Sequence, residues 1–311
     1  MLFFLLFLSS YKKNVVSLHP LARLPCSMAS VTLTIEEEYD MVEFSVLMSV
    51  YHKEKPEFLR QSLDSIFSQT LPPTEVVLVQ DGPVPEAIAQ VMDEYQASHP
   101  EMKLIKLDKG CGLGGALNEG LKHCSYDIVA RMDTDDISKP DRFKEQVTWL
   151  AEHPDVDVCG SWIDEFSGEV DNVVSSRKPP QEHADIVSFS HKRNPMNHPT
   201  VVFRRKAVER AGSYQPFHLF EDYYLWVRMI QTGCHFHNIQ RSLLFFRMSP
   251  DMFLRRGGFK YSCTEIRFQK KLHKMGHIGW GTMMQNIIYR TTVRNLPNSI
   301  RKFIYVSLLR R

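Results

Sequence analysis

From residue 43 onward, short apolar runs alternate with segments whose apolar residues recur at helical spacing, and this rhythm limits the fold more than any other feature. FSVLMSV at 44–50 suits a buried strand. Pro56 then opens a helix whose apolar face is Phe58, Leu59, Leu63, Ile66 and Phe67. EVVLV at 75–79 reads as a second strand ending in the turn Gln80-Asp81-Gly82-Pro83. Ile88, Val91, Met92 and Tyr95 mark the next helix, 103–107 a third strand, and 116–124 a short helix. YDIVAR at 126–131 gives a fourth strand. A helix from about Pro140 turns Phe143, Val147 and Leu150 inward, and 156–163 reads as a strand. Such alternation predicts an α/β fold, a mostly parallel sheet with helices on both faces. The second half is less regular. Residues 171–180 are polar and expected to form a surface excursion, 200–203 a strand, 221–231 a helix, and 234–246 a strand or hairpin.

Charge divides the chain. From Met252 to Arg311 there are 13 Lys/Arg against Glu265 alone, a net +12, while the remainder carries −10. A helical, basic C-terminal region over 251–311 is therefore expected to meet an anionic partner. Residues 278–288 and 299–311, with Arg290 and Arg294 between them, mix Trp280, Ile287, Ile288 and Phe303 with Arg301 and Lys302, the composition of a helix lying in a headgroup layer. Nucleic acid is the other anionic candidate, but no recognition motif accompanies the charge. The alternative is a solvated basic tail. Apolar residues 1–8 are too short to span a bilayer, and Lys12 and Lys13 follow the run instead of preceding it, unlike a signal peptide. Residues 1–40 are expected to lie outside the fold, with Met41 as the natural start and 41–250 as the main domain. Six scattered cysteines with no C-x-x-C pair exclude a zinc ribbon or disulfide scaffold and fit a reduced, cytoplasmic compartment.

Ligands of open parallel sheets bind beyond the carboxyl ends of the strands. Those ends carry Tyr51, His52 and Glu54, then Asp81, then the glycine-rich turn at 110–115, then Arg131 with Asp133-Thr134-Asp135-Asp136. Three carboxylates in four residues repel one another unless a cation sits among them, and hard oxygen ligands suit Mg²⁺ or Mn²⁺. The competing reading is a helix cap with solvated neighbours. Glu221 and Asp222 open an aromatic-rich helix, either to meet its dipole or to supply a general base. His198 sits in a tight polar turn, as a backbone-bonded loop residue or a substrate contact. Gly110-Cys111-Gly112-Leu113-Gly114-Gly115 fits the dinucleotide fingerprint, so a dinucleotide-dependent oxidoreductase is one alternative. A sugar-nucleotide nucleotidyltransferase is another, though it leaves Asp222 without a task.

Six segments in order carry a resemblance: SVYHKEKPEFLRQSLDSIFSQT, VVLVQDGP, GLGGALNEGL, IVARMDTDD, NHPTVVFRR and FEDYYLWVRM, spanning about 44–250. Together they resemble family 2 glycosyltransferases, the inverting GT-A enzymes of bacterial capsule, O-antigen and exopolysaccharide synthesis. The resemblance implies a metal-dependent transferase using a nucleoside-diphosphate sugar, with uridine the expected nucleoside, and a glycan or polyprenyl-diphosphate-linked acceptor. The basic C-terminal region suits that acceptor, with peripheral work expected at the inner face of the cell membrane. Carried over by position, Val50, Tyr51, Glu54 and Asp81 line the nucleoside pocket, and Arg131 and Asp133 sit beside the nucleotide. Asp135 binds the metal with Asp133, and Asp222 is the catalytic base. His198, Arg247 and Arg255-Arg256 are contacts to donor phosphate or acceptor. The chain departs from the family at Gly110, where asparagine is usual, and at Ser249, where histidine is frequent.

Overall fold

The computed structural model describes residues 42–249 and 258–296. The expectations for residues 1–40, for Arg255-Arg256 and for 299–311 lie outside them. The first half follows the alternation of the sequence: β1 (Ser45–Val50), α1 (Pro56–Phe67), β2 (Glu75–Gln80), α2 (Glu86–Ser98), β3 (Met102–Lys106), α3 (Leu113–His123) and β4 (Ile128–Asp133). These strands run parallel in the order β3-β2-β1-β4. Burial on both faces explains their unbroken apolar character. Val46, Met48, Val76 and Leu78 pack on the face with Leu59, Leu63, Ile88 and Met92, while Leu47, Val77 and Val79 pack on the other with Leu117 and Trp226. Each such side chain taken from water contributes roughly 1.5–3 kcal/mol.

Two glycines allow close approaches. A Cβ at Gly120 of α3 would fall 2.5 Å from Leu47 Cδ1 and 2.7 Å from Val79 Cγ2, so α3 rides directly on the sheet. Gly82 adopts φ +81°, and its Cβ would lie 2.6 Å from the Gly110 nitrogen. The turn after β2 thereby nests against the turn after β3.

The second half completes the sheet with β5 (Ile137–Ser138), α4 (Arg142–Glu152), β6 (Val158–Phe166), β7 (Val173–Arg177), α5 (His183–Ser190), a 3₁₀ turn at His198–Thr200, β8 (Val202–Arg204), α6 (Arg205–Arg210), α7 (Glu221–Gln231) and β9 (Phe236–Arg247). β8 runs antiparallel to both β4 and β6, and β9 runs parallel to β6 and antiparallel to β5. The polar 171–180 stretch is not wholly irregular: it forms β7, an edge strand against β6 alone. Its Val173 and Val174 are about two-fifths exposed, which is why no buried-strand pattern marks it. The stretch expected at 234–246 as a strand or hairpin is one continuous strand, β9 (Phe236–Arg247), its register shifting opposite Ser161–Asp164.

Helices α8 (Phe259–Lys274) and α9 (Trp280–Asn295) pack on α7, where Phe220, Tyr223 and Val227 meet Phe268, Leu272, Ile278 and Met283. Fully buried Glu265 of α8 accepts hydrogen bonds from Arg290 and Arg294 of α9, each at 2.7 Å. Part of the tail's basic charge is thus consumed inside the fold. Trp280, Ile288 and Tyr289 of α9 and Phe259 of α8 are exposed. No described helix is long and apolar enough to cross a membrane.

Candidate active site

β4 delivers the acidic cluster. Its register pairs Asp133 with Ser49 of β1, so the turn after β4 opens beside residues 51–54. Arg131, 1% exposed, donates both terminal nitrogens to the Asp133 carboxylate, one bond at 2.7 Å. Thr134 donates to Glu54 at 2.6 Å, tying the first strand's loop to the cluster. Asp136 is fully buried; it accepts the Arg247 backbone N–H at 2.8 Å through Oδ1, and its Oδ2 is buried with no hydrogen-bond partner. Carboxylate oxygens of Asp133, Asp135 and Asp136 lie within 4.8 Å of one another.

Crowding of like charges in a dry site penalises ionisation. Burial, together with Asp133 and Glu54, pushes Asp135 up to about 7, and burial with Asp135 and Asp133 drives Asp136 well above the usual carboxylate range. Three convergent carboxylate oxygens form a hard donor set that fits Mg²⁺ or Mn²⁺, and the Asp136 carboxylate among them has a buried oxygen without a partner.

Asp81 contacts protein. Its Oδ1 accepts the Cys111 N–H at 2.6 Å and its Oδ2 the Gly112 N–H at 3.0 Å. This bears on the oxidoreductase alternative. A dinucleotide fingerprint offers free amides to a pyrophosphate at the first β-α turn. Here the turn follows β3, the outermost parallel strand, and two of its amides already hold a carboxylate. The glycines serve the packing of two turns. Val50 is buried, while Tyr51 is exposed with its ring nearly perpendicular to that of His52.

A cavity of about 670 Å³ adjoins the cluster, with Arg131, Asp133, His198 and Asp222 among its walls. Val50, Tyr51, Glu54, Asp81 and Asp135 do not line it. The sequence-predicted residues therefore fall into a set at the ends of β1 and β2 and a set in the cavity, joined through residues 131–136. His198 bonds the Tyr214 hydroxyl at 2.8 Å, not a backbone group, and burial beside Arg131 pushes it well below the usual histidine range. It is a neutral polar wall. Asp222, in the first turn of α7, accepts the Tyr223 N–H at 2.7 Å and the Asn194 side-chain amide at 2.5 Å.

Sequence reasoning missed several residues here. Asn194, 28 positions from Asp222, shares no element with it and left no signal beyond its polar turn. Arg142, fully buried, donates to the Arg131 carbonyl at 2.6 Å and to Ser138 at 3.0 Å beneath the cluster. The cavity lining also takes in Lys192, Arg193, Tyr289 and Arg290, from segments far apart in sequence.

The Glycosyl transferase family 2 model matches residues 45–212. The chain is 38% identical over 272 residues to UDP-Gal:alpha-D-GlcNAc-diphosphoundecaprenol beta-1,3-galactosyltransferase of Escherichia coli, covering 88% of this chain and 98% of that protein. It is 38% identical over 262 residues to the amylovoran biosynthesis glycosyltransferase AmsE of Erwinia amylovora, covering 84% and 97%. Its fold is like that of the mannosyltransferase PcManGT from Pyrobaculum calidifontis in complex with GDP-Man and Mn²⁺, at a TM-score of 0.54 and 18% identity over 83% of this chain and 71% of that one. With a family model matching more than half of the chain and relatives 38% identical over most of both lengths, the chain belongs to glycosyltransferase family 2 and has the GT-A fold.

Proposed function

We propose that this glycosyltransferase moves a sugar from a UDP-linked donor to a hydroxyl of a lipid-diphosphate-linked glycan, with inversion, during surface-polysaccharide assembly. The observation that carries the reading is the shared cavity: Asp133 of the acidic cluster and Asp222 of α7 line the same chamber. The donor and acceptor classes are those in the name of the E. coli relative.

In this reading Val50, Tyr51, Glu54 and Asp81 hold the nucleoside, and Arg131 with Asp133 borders the diphosphate. Asp133, Asp135 and the unpaired oxygen of Asp136 would hold Mg²⁺ or Mn²⁺, which supplies positive charge at the departing diphosphate. Asp222 takes the proton of the acceptor hydroxyl. The oxygen freed of it forms a bond to the anomeric carbon from the face opposite the leaving group. The bond from that carbon to the phosphate oxygen breaks, and its electron pair leaves with UDP. Asn194 fixes the carboxylate in position for the transfer. His198, neutral and bonded to Tyr214, lines the chamber without adding charge.

Exposed Phe259, Trp280, Ile288 and Tyr289 on the two basic helices support a peripheral membrane contact where the acceptor resides. Five cysteines free among the described residues support a reducing, cytoplasmic setting. Sedimentation with anionic and neutral liposomes tests the contact, and equal indifference to both removes it.

The direct test of function is transfer from UDP-sugars to lipid-diphosphate acceptors by the wild type and by Asp222→Asn. General-base assistance is typically worth about 10²–10⁴ in rate, so the variant loses that much transfer while its UDP affinity stays within roughly twofold. Equal loss of both removes Asp222 as the base.

A further inference from the structure

Neighbouring carboxylates push one another apart, so the turn after β4 keeps its shape only where other parts of the fold hold it. The ties are made to its backbone. The carbonyls of Arg131, Asp133 and Asp135, at alternate positions, each accept a hydrogen bond from a side chain of a different element. Arg142 of α4 donates to the Arg131 carbonyl at 2.6 Å, Ser62 of α1 to that of Asp133 at 2.9 Å, and Arg247 of β9 to that of Asp135 at 2.8 Å. Ser62 and Arg142 are fully buried. The other hydrogen bonds of Arg142 go to neutral groups, the Ser138 hydroxyl, the Met132 sulfur and the Gln146 side chain, so its charge is left to act on Asp136 and Asp133 through space. Arg247 grips the turn twice, its backbone N–H on the Asp136 carboxylate at 2.8 Å and its side chain on the Asp135 carbonyl. Its guanidinium lies over the rings of Phe58 and Phe166, 4.0 and 4.6 Å from their centroids, and a second nitrogen donates to Gln61 at 2.5 Å. A guanidinium held on two aromatic faces and at two nitrogens has little freedom left to lose.

We propose that Ser62, Arg142 and Arg247 are positioning residues for the metal: they set the carboxylates of 133–136 in ligand geometry before an ion arrives. Arg247 then serves the turn and not the donor phosphate or the acceptor, the roles that resemblance alone assigns it. Two of the three ties are cations, so they also offset part of the repulsion that they restrain. The assignment rests on the reading of the acidic cluster as a metal site and deepens it by naming what holds the ligands.

The test titrates the full chain, free of nucleotide, with Mn²⁺ alone and reads the free ion by its paramagnetic resonance signal. Arg247→Met keeps an apolar stem against Phe58 and Phe166 but loses every side-chain donor, and Ser62→Ala removes one hydroxyl from another element. Groups that orient metal ligands from behind typically change affinity by about 10–100-fold, so both variants weaken Mn²⁺ about tenfold or more. Arg247→Lys, which keeps one donor and the charge, falls between Met and the wild type. Urea unfolding of the metal-free variants gives the folded fraction, so the affinities compared are those of folded chains; a merely structural role lowers the unfolding midpoint and leaves them unchanged. Wild-type affinity in both Arg247→Met and Ser62→Ala overturns the proposal, and a loss of UDP affinity in Arg247→Met with Mn²⁺ affinity intact returns Arg247 to the donor phosphate. A wild type that binds Mn²⁺ only when UDP is present overturns the preset geometry. Failure of the metal reading is seen separately, as a wild type that binds no Mn²⁺ with or without UDP.

Discussion

Asn194 offers the sharpest test of the chemistry, because it bonds the proposed base and is not among the residues assigned to the donor. Two hydrogen bonds hold the Asp222 carboxylate: the Tyr223 N–H at 2.7 Å on Oδ1 and the Asn194 amide at 2.5 Å on Oδ2. Asn194→Ala removes the second and leaves the carboxylate free to turn. A hydrogen bond to a charged group is worth about 1.5–3 kcal/mol, which bounds the fall in kcat at about 10- to 150-fold. Asn194→Asp goes further, replacing a donor by a second carboxylate at contact distance. Like charges that close repel, so the Asp222 carboxylate is pushed out of the position the amide held. Both variants lower kcat, Asp more than Ala, with donor KM little changed. The assay is initial-rate transfer from a UDP-sugar, using an acceptor competent with the wild type. Full kcat in both variants would falsify the pairing of Asn194 with the base.

The acidic cluster gives a pH-dependent response to metal. Because Asp135 is pushed up to about 7 in the fold, the folded protein keeps a proton that the unfolded chain has lost between the ordinary carboxylate range and about pH 7. Metal-free stability therefore falls as pH rises through that window, and Mn²⁺ raises the melting temperature more at about pH 8 than at about pH 5; equal shifts would sink the metal assignment. Glu265→Gln leaves Arg290 and Arg294 without their buried carboxylate and destabilises by about 3–5 kcal/mol in urea unfolding. A loss below about 1 kcal/mol would mean that α8 and α9 do not depend on the pair. Gly120→Val forces a branched side chain where a Cβ alone meets Leu47 at 2.5 Å, and costs at least about 1–3 kcal/mol by the same measurement. Wild-type stability there would mean that α3 can lift off the sheet freely.

The parallel half of the fold was legible because burial on both faces writes itself into the chain as unbroken apolar runs, as in β1, β2 and β4. β7 was not legible, since an edge strand paired on one side can present Ser175 and Ser176 to polar partners. The acidic turn and the paired acids of α7 announced themselves by local density of charge. What density cannot convey is direction. Arg290 and Arg294 counted as tail charge in the sequence, yet both bond Glu265 and both line the cavity. Asn194 and Asp222 are ordinary polar residues until the α5–β8 connection and α7 bring them to 2.5 Å. Local patterns fix elements, and only packing makes neighbours of residues separated by 28 or 98 positions.

Arg247, the last residue of β9, bonds Asp136 through its backbone N–H and the Asp135 carbonyl through its side chain, across more than a hundred residues of chain. The turn after β4 is therefore not finished by the strand that carries it. During synthesis the acidic residues leave the ribosome long before the strand that clamps them, and until β9 adds to β6 the Asp136 carboxylate lacks the Arg247 N–H that holds it, whereas Asp133 already has Arg131 beside it. The last side of the acidic turn is thus set late, by a strand that takes its place only when the sheet closes.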